Sequence, residues 1–222
     1  MLLFIYENKF IYINQETFML KDVLTAIFSY IGTTTDYFVV LLLLFGKYST
    51  KQDTKLVVLG AYLGNGLLVL TSIIIALVLQ QVPEEWLLGL LGIIPIIIGV
   101  KGYFSKEDEG EEIEEKLKII KPDAILWNVL VITFSACGAD NMALYIPYFT
   151  MLNLQILPII LVLFIIILTA VIVAAYKLVN VPIVKAFFDK QGDLVQLIVY
   201  VSLGLYVLVE AGTLQHLLLL IY

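Results

Sequence analysis

Residues 154–177 read LQILPIILVLFIIILTAVIVAAYK, a run in which the only charged side chain is the last one, Lys177. The run exceeds the roughly 20 apolar residues that an α-helix needs to cross a bilayer core. Its Leu, Ile and Val residues do not alternate with polar ones, and a transmembrane barrel strand is only about 10 residues long. A helix satisfies its backbone hydrogen bonds internally, so this run predicts a membrane-spanning helix.

The composition of the whole chain agrees with this interpretation. Of its 222 residues, 61% are hydrophobic and 14% are charged, against about 45–50% and about 25% in ordinary soluble domains. A soluble fold cannot bury that much apolar surface, which argues against a water-soluble enzyme. The net charge of −6 argues against nucleic acid as a partner, because nucleic-acid binding needs a basic surface. The predicted partner is the lipid bilayer.

Six long apolar runs divide the chain into two halves. They lie at 23–46, 55–80, 86–103, 125–150, 154–177 and 194–220. All 13 lysines fall outside these runs or near their ends, and there is no arginine. Three runs per half make the halves enter the membrane in opposite senses, as in many secondary transporters. The sequence thus predicts an all-α membrane protein with six transmembrane helices, arranged as two inverted three-helix repeats.

These runs also give the expected organisation of the chain. We expect residues 1–21 to form a disordered N-terminal tail, or to be untranslated if synthesis starts at Met19. Residues 22–103 form the first repeat, 104–124 a solvated acidic linker on the cytoplasmic side, and 125–222 the second repeat. Eleven lysines lie in the loops on one side of the membrane, and only Lys9 and Lys21 lie on the other. The positive-inside rule therefore predicts extracellular termini.

Two aspartates inside these runs have matching surroundings. When Asp36 is aligned with Asp140, the residues at i−7, i−4 and i−3 are a hydroxyl residue, a small residue and a Thr or Cys, all on the Asp face of the helix. A carboxylate at the membrane midplane costs about 2.5–3.5 kcal/mol on insertion scales, and the runs offer it no lysine partner. A bound cation is the predicted partner, and a protonated Asp bonded to a neighbouring helix is the alternative. The two stripes are Ser29, Gly32, Thr33 and Asp36, and Thr133, Ala136, Cys137 and Asp140, with Asn141 beside the second.

The donor atoms indicate the class of ion. Carboxylate, hydroxyl and amide oxygens suit hard cations, whereas the sulfur of Cys137 favours a zinc- or cadmium-like ion. A buried cysteine can instead serve as a small apolar residue. Glu210 is a third ligand, a proton relay or an interfacial residue. No cofactor is predicted besides a transported divalent cation such as Cd²⁺ or Zn²⁺. The candidate metal ligands are Asp36, Asp140, Asn141, Cys137, Thr33 and Glu210.

Other residues predict helix contacts and irregularities. Gly60 and Gly64 have the four-residue spacing of a helix-packing face. Gly92 and Pro95 are expected to loosen the third span, and Pro147 the fourth.

Several segments of the chain resemble the cadmium resistance transporter (CadD-like) family of the lysine-exporter superfamily. The segments are 32–36 (GTTTD), 91–101 (LGIIPIIIGVK), 136–141 (ACGADN) with 145–147 (YIP), and 204–210 (GLYVLVE). The resemblance covers roughly residues 22–214. It implies six spans, a bacterial plasma membrane and efflux of cadmium or similar cations, which confers metal resistance. The family's Asp of the first span and Asp-Asn of the fourth correspond to Asp36, Asp140 and Asn141, whereas Tyr37 replaces a second Asp.

The energy source is predicted from what the chain lacks and from its acidic ligands. It has no phosphate-binding loop of the G-x-x-x-x-G-K-[ST] type, so ATP hydrolysis is not expected. Expelling a divalent ion against 100 mV requires about 4.6 kcal/mol, and acidic ligands shed protons when they bind metal. We therefore predict a transporter, not an enzyme, that works by cation/proton antiport.

Three alternatives stay open. The chain could export another cation or a cationic small solute such as an amino acid, or it could be a purely structural membrane protein. An intramembrane aspartyl protease would need Tyr-Asp and Gly-x-Gly-Asp motifs, but the chain has Asp36-Tyr37 and Gly138-Ala139-Asp140. The oligomeric state is left undetermined.

Overall fold

The computed structural model describes the backbone at residues 2–82, 84–105 and 124–221. Most of the acidic linker predicted at 104–124 lies outside the described residues. Side chains are described at 20–35, 37–82, 84, 86–104, 124–135, 137–181, 191 and 194–219. The described part of the chain is helical and contains no strand. Its elements are α1 (Leu2–Lys47), α2 (Lys51–Leu79), α3 (Glu85–Gly89), a 3₁₀ turn (Leu90–Gly92), α4 (Ile93–Ser105), α5 (Ile125–Met151), α6 (Leu157–Leu178), α7 (Pro182–Glu210) and α8 (Thr213–Ile221).

Helices that are long and apolar enough to cross a membrane lie where the apolar runs predicted them. Three are clear candidates, at Lys51–Leu79, Trp86–Phe104 and Leu157–Leu178. Three more candidates are bent pairs, so the described residues provide three to six spans. The pairs are Leu20–Thr35 with Tyr37–Lys47 at 43°, Ile125–Ser135 with Cys137–Met151 at 57°, and Leu194–Glu210 with Thr213–Leu219 at 59°.

The N-terminal residues differ from the expectation of a disordered tail. The backbone of residues 2–21 is helical and continues into the first predicted span as part of α1. No glycine or proline precedes Gly32, so no residue in this stretch interrupts the helix. The division of the chain into two repeats and a linker stays a prediction.

The sixth apolar run, predicted at 194–220, is two helices and not one. α7 ends at Glu210 and α8 begins at Thr213. Gly212 between them has a φ of +67°, which lies in the left-handed region. Glycine adopts this conformation without steric cost, and a residue in this conformation commonly ends a helix. The run is apolar throughout, but this single residue redirects the chain.

Glycines set the closest helix contacts. A Cβ at Gly60 would lie 2.7 Å from the Val129 Cβ, and one at Gly64 would lie 2.8 Å from the Thr133 Cβ. The predicted packing face of α2 is therefore confirmed, and its partner is α5. The third span pairs with α7 in the same way, since a Cβ at Gly92 would clash with the carbonyl oxygen of Gly204.

The predicted irregularity of the third span is also confirmed, while that of the fourth lies elsewhere. The 3₁₀ turn at Leu90–Gly92 comes just before Pro95. In α5 the 57° bend falls between Ser135 and Cys137 and not at Pro147. The bend lies beside Gly138, the one glycine in this helix, and glycine has a low helix propensity.

The helix α1 occupies the middle of the bundle, with α5, α6 and α7 packed against it. Tyr30, Tyr37 and Tyr145 are among the largest fully buried side chains. The outward face of α6 is apolar and exposed, as Ile159, Val162 and Ile165 illustrate. This combination of exposed apolar faces and a core with buried tyrosines is what a lipid environment favours.

Candidate functional site

Two hydrogen bonds join the halves of the chain where α1 crosses α5. The Thr33 Oγ1 lies 2.7 Å from the Tyr145 hydroxyl. The Tyr37 hydroxyl lies 3.0 Å from the Thr133 Oγ1. All four side chains are buried, so each bond is made away from water and is strengthened by the low local dielectric. We call these four residues the crossing cluster.

Three successive threonines of α1 turn their hydroxyls back onto their own helix. The Thr33 Oγ1 donates to the Tyr30 carbonyl at 3.0 Å, Thr34 to the same carbonyl at 2.7 Å, and Thr35 to the Ile31 carbonyl at 2.9 Å. Back-bonding of this kind bends helices, and the 43° bend of α1 follows directly, between Thr35 and Tyr37. Because the Thr33 hydroxyl donates its hydrogen to the Tyr30 carbonyl, its Oγ1 is the acceptor in the hydrogen bond with the Tyr145 hydroxyl.

The fourth span contributes a buried stripe with a four-residue spacing. It consists of Thr133, Cys137, Asn141 and Tyr145, and Cys137 and Asn141 are 5% and 3% exposed. The structure therefore brings the predicted residues Thr33, Cys137 and Asn141 to the same crossing region of α1 and α5.

The structure describes only one of the two predicted aspartate side chains, that of Asp140. The side chain of Asp36 lies outside the described residues, so its predicted meeting with Asp140 stays a prediction. Asp140 is only partly buried and lies at the edge of the buried stripe. The positive charge of Lys101 in α4 acts on the Asp140 carboxylate. The expectation that the apolar runs offer these acids no lysine partner is wrong, because Lys101, near the end of the third run, acts on Asp140.

Glu210 lies apart from the other predicted ligands. Its carboxylate pairs with the ammonium group of Lys21 at the start of the first span, whereas the crossing cluster lies near the middle of that span. Fifteen residues separate Lys21 from Asp36, which is about 22 Å along a helix. The structure therefore does not bring Glu210 together with the residues near position 36, and its role as a metal ligand stays a prediction.

A groove opens beside the crossing cluster, between α2 and α6. It has a volume of about 280 Å³, and Tyr30, Asn65 and Phe164 contribute to its lining. The Tyr30 and Phe164 rings are stacked with their centroids 4.0 Å apart. The Tyr62 hydroxyl lies 2.7 Å from the Thr169 Oγ1 and links the two helices. Most of the lining is apolar.

The crossing therefore offers hydroxyl, thiol and amide donors inside an apolar bundle. Among the described residues, no three of the His, Cys, Asp and Glu side chains lie close enough together to hold a metal ion. Sequence reasoning missed Tyr37 and Tyr145 as part of this region. A usable signal was available, because both are polar-tipped aromatic residues inside apolar runs and next to the polar stripes.

The family model described as cadmium resistance transporter matches residues 30–220, which is most of the chain. The chain belongs to the cadmium resistance transporter family. Membership confirms the resemblance drawn from residues 22–214 and makes this family member a multi-pass membrane transporter of the cadmium resistance type. No curated protein and no solved structure matches it.

Proposed function

We propose that this member of the cadmium resistance transporter family exports a divalent heavy-metal cation such as Cd²⁺ or Zn²⁺ from a bacterial cytoplasm, in exchange for protons. The observation that carries the proposal is the crossing of α1 and α5, where polar donors from both halves are buried inside an apolar bundle. Polar groups inside a membrane are costly and usually mark a functional site. A path for ions through the crossing would account for their presence.

In this proposal Asp36, Asp140, Cys137, Asn141 and Thr33 bind the ion during its passage. The buried positions of Cys137 and Asn141 on one stripe support this assignment. The sulfur atom gives preference to softer ions such as Cd²⁺ and Zn²⁺ over Mg²⁺. The carboxylate of the partly exposed Asp140 contributes a negative charge at the edge of the stripe. The carboxylate of Asp36 contributes a second negative charge from α1.

Lys101 fits an exchange mechanism. Its positive charge acts on Asp140 and would compensate part of the carboxylate charge between successive ions. A divalent cation arriving at Asp140 takes over that compensation. Protons do the same on the return step, because carboxyl and thiol ligands must lose protons to bind metal.

We also propose that the two halves are inverted repeats. The helix packing supports this idea, since α2 of the first half packs on α5, and α6 of the second half packs on α1. Exchanging the two halves converts one of these pairs into the other. The bends near residues 36 and 136 likewise fall in the first spans of both halves. Broken spans near a central site are typical of such transporters.

Uptake of ¹⁰⁹Cd²⁺ into everted membrane vesicles tests the proposal. We expect the parent to accumulate cadmium when the vesicle interior is acidic, and to lose most of this uptake when a protonophore collapses the gradient. Asp36→Asn and Asp140→Asn should each reduce uptake at least tenfold, whereas Asp53→Asn, the same change at the start of α2, should leave it unchanged. Parent-like uptake by both Asp36→Asn and Asp140→Asn would overturn the proposed site. Uptake indifferent to the gradient would overturn the antiport.

A further inference from the structure

A second group of polar residues lies at the start of the first span, away from the crossing cluster. Lys21 and Asp22 near the start of the span meet Tyr148 of α5 and the last turn of α7, with Tyr206 and Glu210. We call these five residues the end cluster. The Lys21 ammonium pairs with the Glu210 carboxylate and lies 5.1 Å from the centre of the Tyr206 ring. Neither Tyr148 nor Tyr206 has a role in the crossing cluster.

Asp22 is the anomalous member of the end cluster. It is only 1% exposed, and its Oδ2 atom has no hydrogen-bond partner. Its Oδ1 accepts a long bond of 3.4 Å from the Tyr206 hydroxyl. The Tyr148 hydroxyl donates to the backbone carbonyl of Asp22 at 3.2 Å and so does not serve the carboxylate. Buried carboxylate oxygens are normally paired or bound to a cation, and this one points to a missing ligand.

The charges of the end cluster do not balance when all its groups are ionised. The carboxylates of Asp22 and Glu210 together with the Lys21 ammonium then sum to −1, and Lys21 pairs with Glu210 and not with Asp22. A divalent cation in place of the ammonium would neutralise both carboxylates. Lys21 is able to move away, because its side chain is 44% exposed while that of Glu210 is 25% exposed.

We propose that Asp22 and Glu210 form a second binding site for the transported divalent cation, and that the Lys21 ammonium occupies this site while the metal is absent. The inference rests on the proposed function for the identity of the ion. The carboxylate oxygens of both acids and the Tyr206 hydroxyl supply the donors. Since the lysine count of the loops predicts this end to be extracellular, the site would be the last one before release. Return of Lys21 to Glu210 would then displace the ion outward.

Direct binding of Cd²⁺ tests the site without transport. The full chain, purified in detergent with the Asp140→Asn change to weaken the crossing site, would be dialysed against ¹⁰⁹Cd²⁺. In that background we expect Asp22→Asn and Glu210→Gln each to reduce the remaining binding several-fold. Lys21→Met should tighten it about fivefold, the scale of a partly exposed ion pair, because a competing cation is removed. Lys47→Met is the matched control, since Lys47 also lies over a tyrosine ring, that of Tyr48, at 5.7 Å.

The opposite signs of these effects keep the test decisive. A variant that misfolds can lose binding, but it cannot bind more tightly, so tightening by Lys21→Met with no effect of Lys47→Met supports the site. Unchanged affinity in both Lys21→Met and Asp22→Asn overturns it. Vesicle uptake by the parent separates this result from the proposed function. If the parent transports Cd²⁺ while neither variant alters binding, the end site alone is wrong, and if the parent transports no cadmium, the proposed function is wrong.

Discussion

The hydroxyl of Tyr145 lies 2.7 Å from the Oγ1 of Thr33, although 112 residues separate them along the chain. This bond, together with the one between Tyr37 and Thr133, connects the first span of one half to the first span of the other. The crossing cluster therefore helps to hold α1 against α5, and a movement of one of these spans against the other would have to break or exchange both bonds.

Removing the Tyr145 hydroxyl should weaken the bundle. In Tyr145→Phe the ring stays but the bond to Thr33 is lost, and a buried hydrogen bond of this kind contributes about 1 kcal/mol. We expect a thermal midpoint several degrees lower in detergent, measured by the fluorescence of a thiol- or tryptophan-based probe. Tyr176→Phe, the same change at an exposed ring, should leave the midpoint unchanged. Equal midpoints for both variants would show that the bond contributes no stability.

Two glycines of α2 provide a matched pair for the packing against α5. Gly64→Ala places a Cβ 2.8 Å from the Thr133 Cβ, whereas Gly66→Ala meets nothing within 4 Å. Overpacking of this kind costs about 1–3 kcal/mol, and it also disturbs the Thr133 bond to Tyr37. We expect Gly64→Ala to lower the thermal midpoint and cadmium uptake, and Gly66→Ala to preserve both. A harmless Gly64→Ala would contradict the close α2–α5 contact.

Cys137 should influence which ion is exported. Cys137→Ser keeps the size and hydrogen-bonding capacity of the side chain but replaces the soft sulfur donor with oxygen. We expect growth protection against cadmium to fall several-fold relative to protection against manganese. Cys137→Ala is the control in which position 137 has no metal-binding atom at all. It should reduce protection against both cadmium and manganese where both are substrates. An unchanged cadmium-to-manganese ratio in Cys137→Ser would mean that the sulfur is not a ligand.

The orientation predicted from the lysines is testable with reporters. Alkaline phosphatase fused after Tyr222 should be active, because it would be exported, whereas green fluorescent protein at the same position should stay dark. The same reporters placed after Asn180, in the loop between α6 and α7, should give the opposite pattern. Reversed results would put the end cluster on the cytoplasmic side, and its ions would then be bound on the way in to the crossing.

The positions of the spans could be predicted from sequence, because hydrophobicity summed over 20 residues outweighs any local signal. The fifth run was predicted at 154–177, and α6 covers Leu157–Leu178. Candidate site residues on one helix face could also be found, as with Cys137 and Asn141. Helical periodicity is enough for that purpose.

What depends on tertiary contacts could not be predicted. The pairing of Lys21 with Glu210 joins residues 189 positions apart, and no local pattern announces it. The bend of α5 falls near Gly138 and not at Pro147, although proline is the stronger helix breaker. The partly exposed position of Asp140 depends on where α4 and its Lys101 lie.

The back-bonded threonines of α1 have a consequence for polarity. Thr33, Thr34 and Thr35 each commit a hydroxyl hydrogen to a carbonyl of the preceding turn, which leaves only lone pairs pointing away from the helix axis. These hydroxyls can therefore only accept further hydrogen bonds, as Thr33 does from Tyr145. A partner that offers only lone pairs, such as an anion, finds no hydroxyl hydrogen to accept from this segment, which gives the middle of the first span a preference for donors and cations.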